Sequence, residues 1–518
     1  MSNSTNDNLF RLVKSMTKAE KRYFKLTASP LHDIRGKKFV LLFDYMEKRK
    51  RYDERQFLLA TPSVKPIQIH NLKAHLQKQI LDSLRQYHAR TSSDMKIRAQ
   101  IDSALLLYNK GLYDLSLKVI DKAKRMAVSD DRSTLLLEIM DLEKMALMHT
   151  VSENNESRVN RIITETRSVV KSIQNISTFS NLAARLSSFY VKMGFVRDRH
   201  DHERVRRFFH SSLPRHSGKK LSFQENLYLC YSYVSYYSFV QDFGKSYIYA
   251  RKWVALFEER PDMIRHKPEL YLKGLNHLLA AENKLFLFRE FEETYKKLLK
   301  VHSIKGLELT ENIQIALFKY KYMHKINHYF MMGDFTGGTK IISVAEHELD
   351  RFAERMDKHY ILLFWYKVAC LYFGAGNFRK AIAWLNRIIN SRDVDLREDI
   401  LSFARILNLI AHYELGNYDL VESHIKSTYR FLLKKEEHFL YHKLILRFLR
   451  NLGKETEGRG LIRKFVELKK QLLPLERHPY ERRPFLYFDI ISWLESKEKG
   501  KPVEEIIRAR AKAKMKRG

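Results

Sequence analysis

Apolar residues recur at every third or fourth position along most of this 518-residue chain, and polar residues fill the positions between them. This spacing puts the apolar side chains on one face of an α-helix. Glycine and proline, which weaken or end helices, number only 18 and 10. One such apolar stripe consists of Ile69, Leu72, Leu76, Ile80, Leu84 and Tyr87. The pattern predicts an all-α protein.

The stretch LYFGAGNFRKAIAWL, residues 371–385, has glycines between two apolar runs and allows two interpretations. It is either a loop whose backbone amides bind a phosphate or a tight turn between two packed helices. Small residues are required where two helix backbones approach closely, and glycine suits the turn between them. Aromatic, small and apolar residues follow that order at Trp365, Ala369, Tyr372, Gly376, Phe378, Ala381, Leu385 and Ile388. The order favours the turn.

These eight positions resemble, in order and spacing, a tetratricopeptide (TPR) helix pair. Weaker copies place a glycine and an aromatic residue two positions apart at Gly111 and Tyr113 (followed by Ser116 at the small position), at Gly333 and Phe335, and at Gly416 and Tyr418. Two further units, Phe243 to Ala250 and Phe291 to Leu298, keep the aromatic residue and lose the glycine.

From Phe243 onward the aromatic residues of these units are 48, 44, 43 and 40 residues apart, whereas a TPR has a period of about 34. The resemblance therefore is to TPR-like hairpins with extended helices. It implies an α-solenoid, a right-handed superhelix of antiparallel helix hairpins whose concave face binds a peptide or helix of a protein partner. Repeat boundaries between 130 and 220 are not fixed by the pattern.

The first residues predict a separate helical module. Thr17 and Glu20 have the spacing of a capping box, and Ser29-Pro30 would end that helix. Asp33 precedes a second helix to about Arg49, Asp53 caps a short third and Pro66 opens a long fourth. We therefore expect a basic N-terminal module at residues 1–92, TPR-like repeats at 93–460, and C-terminal capping helices with a basic tail at 461–518.

The net charge of +34 is concentrated at the two ends. Residues 1–100 carry 21 Lys and Arg against 9 Asp and Glu, and residues 451–518 carry 18 against 10. Such a field attracts polyanions or acidic protein surfaces. The predicted polyanion-binding residues are Lys18, Lys21, Arg22 and Lys25 on one helix face, the run Lys48, Arg49, Lys50 and Arg51, the group Arg204, Arg206 and Arg207, and the tail residues Arg508, Arg510, Lys512, Lys514, Lys516 and Arg517.

No sequence motif indicates catalysis, so we predict no enzyme activity, no cofactor and no metal. GDFTGGTK, residues 333–340, has glycines but not the Gly-Lys-Ser/Thr order of a Walker A loop, and a turn between helices explains it better. The pairs His324 with His328 and His438 with His442 have helical spacing without the glutamate of a zinc-protease motif. RHDHE, residues 199–203, is interpreted as a solvated loop, and Cys230 and Cys370 as buried thiols.

Two functions are compatible with these observations. The first is a non-catalytic TPR-like scaffold that binds a protein partner and whose basic ends dock to nucleic acid or a ribonucleoprotein. The alternative is a DNA-binding transcriptional regulator with an N-terminal DNA-binding module and a peptide-sensing TPR-like region, because the helix at 54–60, its connection and the next helix loosely resemble a helix-turn-helix. The polar N-terminus and the lack of a long apolar segment indicate a cytoplasmic protein without membrane contact.

Overall fold

The computed structural model describes residues 8–28, 38–89, 92–150, 155–193, 195–196, 198–213, 221–352, 355–391, 398–434, 440–452 and 459–516. Within these ranges the regular structure is helical and includes no strand, so the all-α prediction is confirmed. The chain divides into two compact units, Met1–Val170 and Lys171–Gly518. The predicted boundaries at 92 and 460 stay predictions.

Unit 1 begins with five helices of the N-terminal module and continues with a group of longer helices. Its helices are α1 (Asn8–Ser15), α2 (Lys18–Ala28), α3 (Lys38–Lys48), α4 (Glu54–Ala60), α5 (Ile69–His88), α6 (Ser93–Asn109), α7 (Tyr113–Ser129), α8 (Ser133–Leu147) and the first part of α9 (Asn155–Met193).

Unit 2 contains the rest of α9 and the remaining helices. They are α10 (Arg199–Ser212), α11 (Phe223–Phe239), α12 (Phe243–Glu259), α13 (Asp262–His266), α14 (Pro268–Leu285), α15 (Phe288–Lys300), α16 (Glu311–Met332), α17 (Phe335–Thr339), α18 (Ile342–Phe352), α19 (Lys358–Gly374), α20 (Phe378–Ile389), α21 (Glu398–Glu414), α22 (Tyr418–Lys434), α23 (Leu440–Leu452), α24 (Arg459–Arg477), α25 (Ile490–Lys499) and α26 (Val503–Met515).

The N-terminal module folds as its capping residues predict. The Thr17 and Glu20 side chains accept from each other's backbone N–H at 3.2 and 2.6 Å, and Asp53 accepts from the first turn of α4. Helix α5 packs its apolar stripe against α2 and α3, with Leu76 and Ile80 fully buried. Pro66 opens a single 3-10 turn that leads into α5. The predicted stop at Ser29-Pro30 and the start at Asp33 lie outside the described residues.

Short turns with one repeated geometry join the paired helices. The first or second residue after the first helix has a left-handed φ, which is 74° at Gly111, 64° at Gly333, 75° at Gly376 and 73° at Gly416. At Gly376 the N–H donates to the Phe373 carbonyl, and the next N–H donates back to Tyr372, which is the bonding of a Schellman motif. The predicted glycines therefore occupy turns, as the sequence indicated.

The second helix of several pairs starts at an Asp or Asn that directly follows the left-handed residue. Asp242, Asp334 and Asn377 each accept a hydrogen bond from a backbone N–H in the first turn of the helix that follows. The aromatic residue comes next along the chain. The shared unit is thus a left-handed residue, an N-capping side chain and an aromatic residue.

Two turns have this geometry without glycine, at Gln241 (φ 62°) and Phe286 (φ 56°). The sequence pattern placed the aromatic residue of one unit at Phe291, and this prediction is wrong. The turn is at Phe286, so the aromatic residue two positions after it is Phe288. Phe291 lies fully buried at the helix-crossing position instead. A further left-handed residue, Asp131 (φ 54°), joins α7 to α8 and marks a turn that the sequence pattern missed.

Consecutive helices pack as pairs, and the pairs pack on their neighbours. Helix α11 contacts α12, α14 contacts α15, α19 contacts α20 and α21 contacts α22. The first helices of successive pairs also contact one another, from α11 through α14, α16, α19 and α21 to α23. Small residues allow the close approach at Ser116, whose Oγ donates to the Ala104 carbonyl at 2.8 Å, and at the fully buried Ala381.

The C-terminal part is built from three helices and a 3-10 turn. Helix α24 runs to Arg477 with Pro474 inside it. The 3-10 turn follows at Arg483–Leu486, and α25 begins at Ile490, where Asp489 accepts from the Ser492 N–H at 2.9 Å. Beyond α25 the basic tail forms helix α26.

Candidate interaction surfaces

The first basic cluster is divided between ion pairs and solvent. On α2, Lys25 contacts Asp44 at 2.8 Å and Glu47 at 2.7 Å on α3, and Lys21 lies 3.9 Å from Glu47. Local carboxylates therefore balance these two lysines. Lys18 and Arg22, on the same helix, are exposed.

The second cluster, Lys48 to Arg51, is exposed at all four positions. It starts one residue after Glu47, the carboxylate that binds Lys25, so the fold brings the two N-terminal clusters onto one side of the module. The Arg49 guanidinium lies over the Tyr45 ring at 5.5 Å. We name the exposed residues Lys18, Arg22 and Lys48 to Arg51 the N-terminal basic face.

The third cluster lies on α10. Arg204 forms an ion pair with Asp201 at 3.1 Å, while Arg206 and Arg207 are exposed. The adjacent Phe209 is fully buried and stacks on Tyr236 with ring centroids 4.1 Å apart, so it belongs to the core and is not available to a base. The stretch PRHSGKK, residues 214–220, lies outside the described residues.

The tail cluster is folded against acidic groups of its own unit. Arg508 lies 3.6 Å from Asp334 and also binds Glu504, and Arg510 binds Glu495 at 2.9 Å. The lysines at positions 512, 514 and 516 are exposed. Arg517 lies outside the described residues.

The C-terminal segment runs back along the hairpin turns, a feature that was not predicted from the sequence. Arg482 donates to the Gln241 carbonyl at 2.8 Å, the Lys514 ammonium lies 3.3 Å from the Phe286 ring centroid, and Arg508 approaches Asp334, next to Gly333. These contacts reach the left-handed turns of three helix pairs, at Gln241, Phe286 and Gly333. We call residues 482–515 the C-terminal strap. The signal that was present is the mixture of arginines and aromatic residues in ERRPFLYF, which a solvated tail does not need.

The strap also covers the side of the array formed by the first helices. Lys284 on α14 donates to the Leu486 carbonyl at 3.1 Å, and Phe403 on α21 stacks on Tyr487 at 4.4 Å. Tyr441 on α23 contacts Phe485 at 5.1 Å.

Arg483 anchors the strap through a buried charge. It lies 3.2 Å from Asp399 on α21, and the two side chains are 0% and 1% exposed. The Tyr487 hydroxyl donates to the same carboxylate. A buried pair of this kind tolerates the loss of one partner poorly.

Basic groups on the first helices of the pairs have lowered pKa values. Burial, aided by the nearby Lys367 charge, lowers the pKa of Lys284 to about 7. Burial also lowers the pKa of Lys367, which donates to Asn327 at 2.6 Å, to about 8. Burial lowers the pKa of His324 to about 3, so this histidine is neutral and pairs with Asn276 at 2.9 Å. Its role in this position is a core hydrogen bond.

The remaining candidate chemistry is placed as follows. In the GDFTGGTK turn the Gly337 N–H donates to Asp334 and the Thr336 N–H to Glu504, so carboxylates occupy the amides that a phosphate would need. RHDHE is the first turn of α10 and not a loop; Asp198, His200 and Asp201 bring ligand atoms within 4.8 Å of one another there. His438 lies outside the described residues.

Both cysteines are buried, as the sequence indicated. Burial raises the pKa of Cys370 to about 12 and that of Cys230 to about 11, which suppresses the reactive thiolate. Among the described helices none is long and apolar enough to span a bilayer. Comparison of the chain with models of protein families, with curated proteins and with solved structures finds no match.

Proposed function

We propose that the protein is a non-catalytic, TPR-like α-solenoid scaffold that binds a protein partner and docks to nucleic acid or a ribonucleoprotein through its N-terminal basic face. Two observations support the array. A turn made of a left-handed residue, a capping side chain and an aromatic residue recurs within the helix pairs, and these pairs pack on one another in chain order. Units that stack in this way expose long surfaces suited to binding.

The polyanion part of the proposal rests on exposure and charge. Lys18, Arg22 and the run Lys48 to Arg51 are exposed on one side of a module in which Lys21 and Lys25 are paired with Glu47. Phosphate contacts of lysine and arginine give affinity without strong sequence preference. The tail supports this role less well, because Arg508 and Arg510 bind carboxylates of the same unit.

The protein partner has access to less of the array than the TPR resemblance implies. The first helices from α14 to α23 contact the strap, so a peptide that binds there must replace it. The second helices of the pairs make no contact with the strap among the contacts described above. Co-purification with chemical cross-linking tests this part, and we expect partner cross-links on residues 93–460.

Binding to a labelled single-stranded RNA and to duplex DNA across a salt series tests the docking part. The variant Lys18→Glu/Arg22→Glu should weaken binding and lower the slope of log K against log salt by roughly 0.7 per lost RNA contact. Lys296→Glu/Lys300→Glu is the matched control, because it reverses two exposed charges at the same spacing on α15. Equal losses of affinity in both variants would show that binding depends only on net charge. Preference for particular duplex sequences would favour the alternative function, a DNA-binding transcriptional regulator.

A further inference from the structure

A cavity of about 430 Å³ lies between the end of α16, the turn that follows it and the strap helix α26. Its size lies within the range of about 300–1,000 Å³ typical of small-molecule sites. Its wall consists of Lys325, His328, Tyr329, Met332, Asp334, Arg508, Ala511, Lys512 and Met515. All nine residues belong to unit 2. Only Arg508 and Lys512 were among the predicted polyanion-binding residues.

The cavity is positively charged. Asp334 is its one carboxylate, and it already binds Arg508 and accepts from the Gly337 N–H. Within the described part of the chain, Lys325 and Lys512 have no carboxylate partner. Two ammonium groups thus face one space without a balancing anion.

His328 adds its ring to the same wall. Its Nε2 lies 3.7 Å from Glu292, and burial lowers the pKa of this histidine.

The rest of the wall is apolar and partly aromatic. The Tyr329 ring lies on α16, 5.2 Å from the Lys325 ammonium, and Met332 and Met515 stand on either helix. A flat ring packs well against tyrosine and methionine. The cavity therefore offers cations for an anionic group and an apolar surface for a ring.

We propose that this cavity binds a nucleoside phosphate, with the phosphate between Lys325 and Lys512 and the base against Tyr329. Lysine binds phosphate as a point charge, and bases stack on aromatic side chains. The site uses side chains and not the amides of the neighbouring glycine turn, which carboxylates occupy. Because α16 and α26 each supply one lysine, the ligand would hold the end of the strap against the array.

Calorimetric titration of the full chain with ADP, pyrophosphate and adenosine tests the ligand chemistry. ADP should bind at least about tenfold more tightly than either of the others, a factor that corresponds to about 1.4 kcal/mol. Pyrophosphate that binds as tightly as ADP would overturn the role of the ring. Adenosine that binds as tightly would overturn the role of the lysines, and no saturable binding of ADP at about 1 mM would overturn the site itself.

Charge reversal tests the position of the site. Lys325→Glu and Lys512→Glu should each weaken ADP binding about tenfold or more. Lys516→Glu is the matched control: it is an exposed lysine at the end of the same helix that does not line the cavity. A loss of ADP affinity in Lys516→Glu equal to that in Lys512→Glu would refute the site, whatever the result with RNA.

Discussion

Replacing Arg483 tests whether the strap is held by its buried ion pair. Arg483→Met removes one partner of a pair whose side chains are 0% and 1% exposed, and leaves the Asp399 charge in the core without the guanidinium. Removal of one partner from a buried pair costs about 3–5 kcal/mol. Asp399→Asn should cost a similar amount, because it leaves the guanidinium without its anion.

The double variant Arg483→Met/Asp399→Asn removes both charges together. A buried pair replaced as a whole is often close to neutral, so we expect the double variant to be no less stable than the worse single variant. The difference between the double variant and the sum of the singles is the coupling energy. The control is Arg450→Met, an exposed arginine on α23, which should change stability by about 0.5 kcal/mol or less.

Amide hydrogen exchange read by peptide is the appropriate assay, because a chain with two units need not unfold in one step. A loss of about 3 kcal/mol corresponds to roughly hundredfold faster exchange in residues 482–500. Unchanged exchange of these residues in Arg483→Met would refute the anchor and with it the conclusion that the strap is fixed to the array.

Two further predictions concern the glycine turns and Lys284. Gly376→Ala adds a Cβ that meets open space, so only the left-handed backbone penalty of about 1–2 kcal/mol applies. Gly333→Ala places a Cβ 2.5 Å from the Arg508 backbone, so it should destabilise the protein more and speed amide exchange in α26. Equal effects of the two variants would contradict this packing. Lys284 has a folded pKa of about 7 against 10.5 when unfolded, so the unfolded state binds more protons between these values and stability rises with pH there. Lys284→Met should be more stable than the natural protein at pH 7, with the advantage shrinking by about 2 kcal/mol at pH 9 in thermal unfolding; a constant advantage would disprove the shifted pKa.

The local features of the fold were predictable because they depend on neighbours in the chain. The glycines at 376, 416 and 333 occupy left-handed turns that few other residues adopt readily, and the capping residues Thr17 and Asp53 start their helices.

Left-handed turns that lack glycine could not be recognised from the sequence. Phe286 adopts φ 56° although it is not glycine, and the alignment therefore slipped from Phe288 to Phe291. Gln241 is stabilised in its left-handed conformation by Arg482, which bonds both its carbonyl and its side chain from 241 positions away.

The interaction surfaces were predicted less well than the fold, because the sequence shows where the cationic residues are but not which carboxylates they pair with. In sequence, Arg508 and Lys18 look alike as members of basic clusters. In the folded chain Arg508 binds Asp334 and Glu504, whereas Lys18 is exposed. Glu504 lies four positions before Arg508 on the same helix, but Asp334 lies 174 positions away, so a local pattern does not reveal the second pair.

Lysine modification footprinting tests the proposed docking most directly. The full chain is treated with an acylating reagent at low salt, with and without single-stranded RNA, and each lysine is quantified by mass spectrometry. We predict protection of Lys18, Lys48 and Lys50 by RNA, with Lys296 and Lys300 on α15 unchanged. Uniform protection of all five lysines, or protection of the α15 pair alone, would contradict the assignment of the N-terminal basic face as the docking surface.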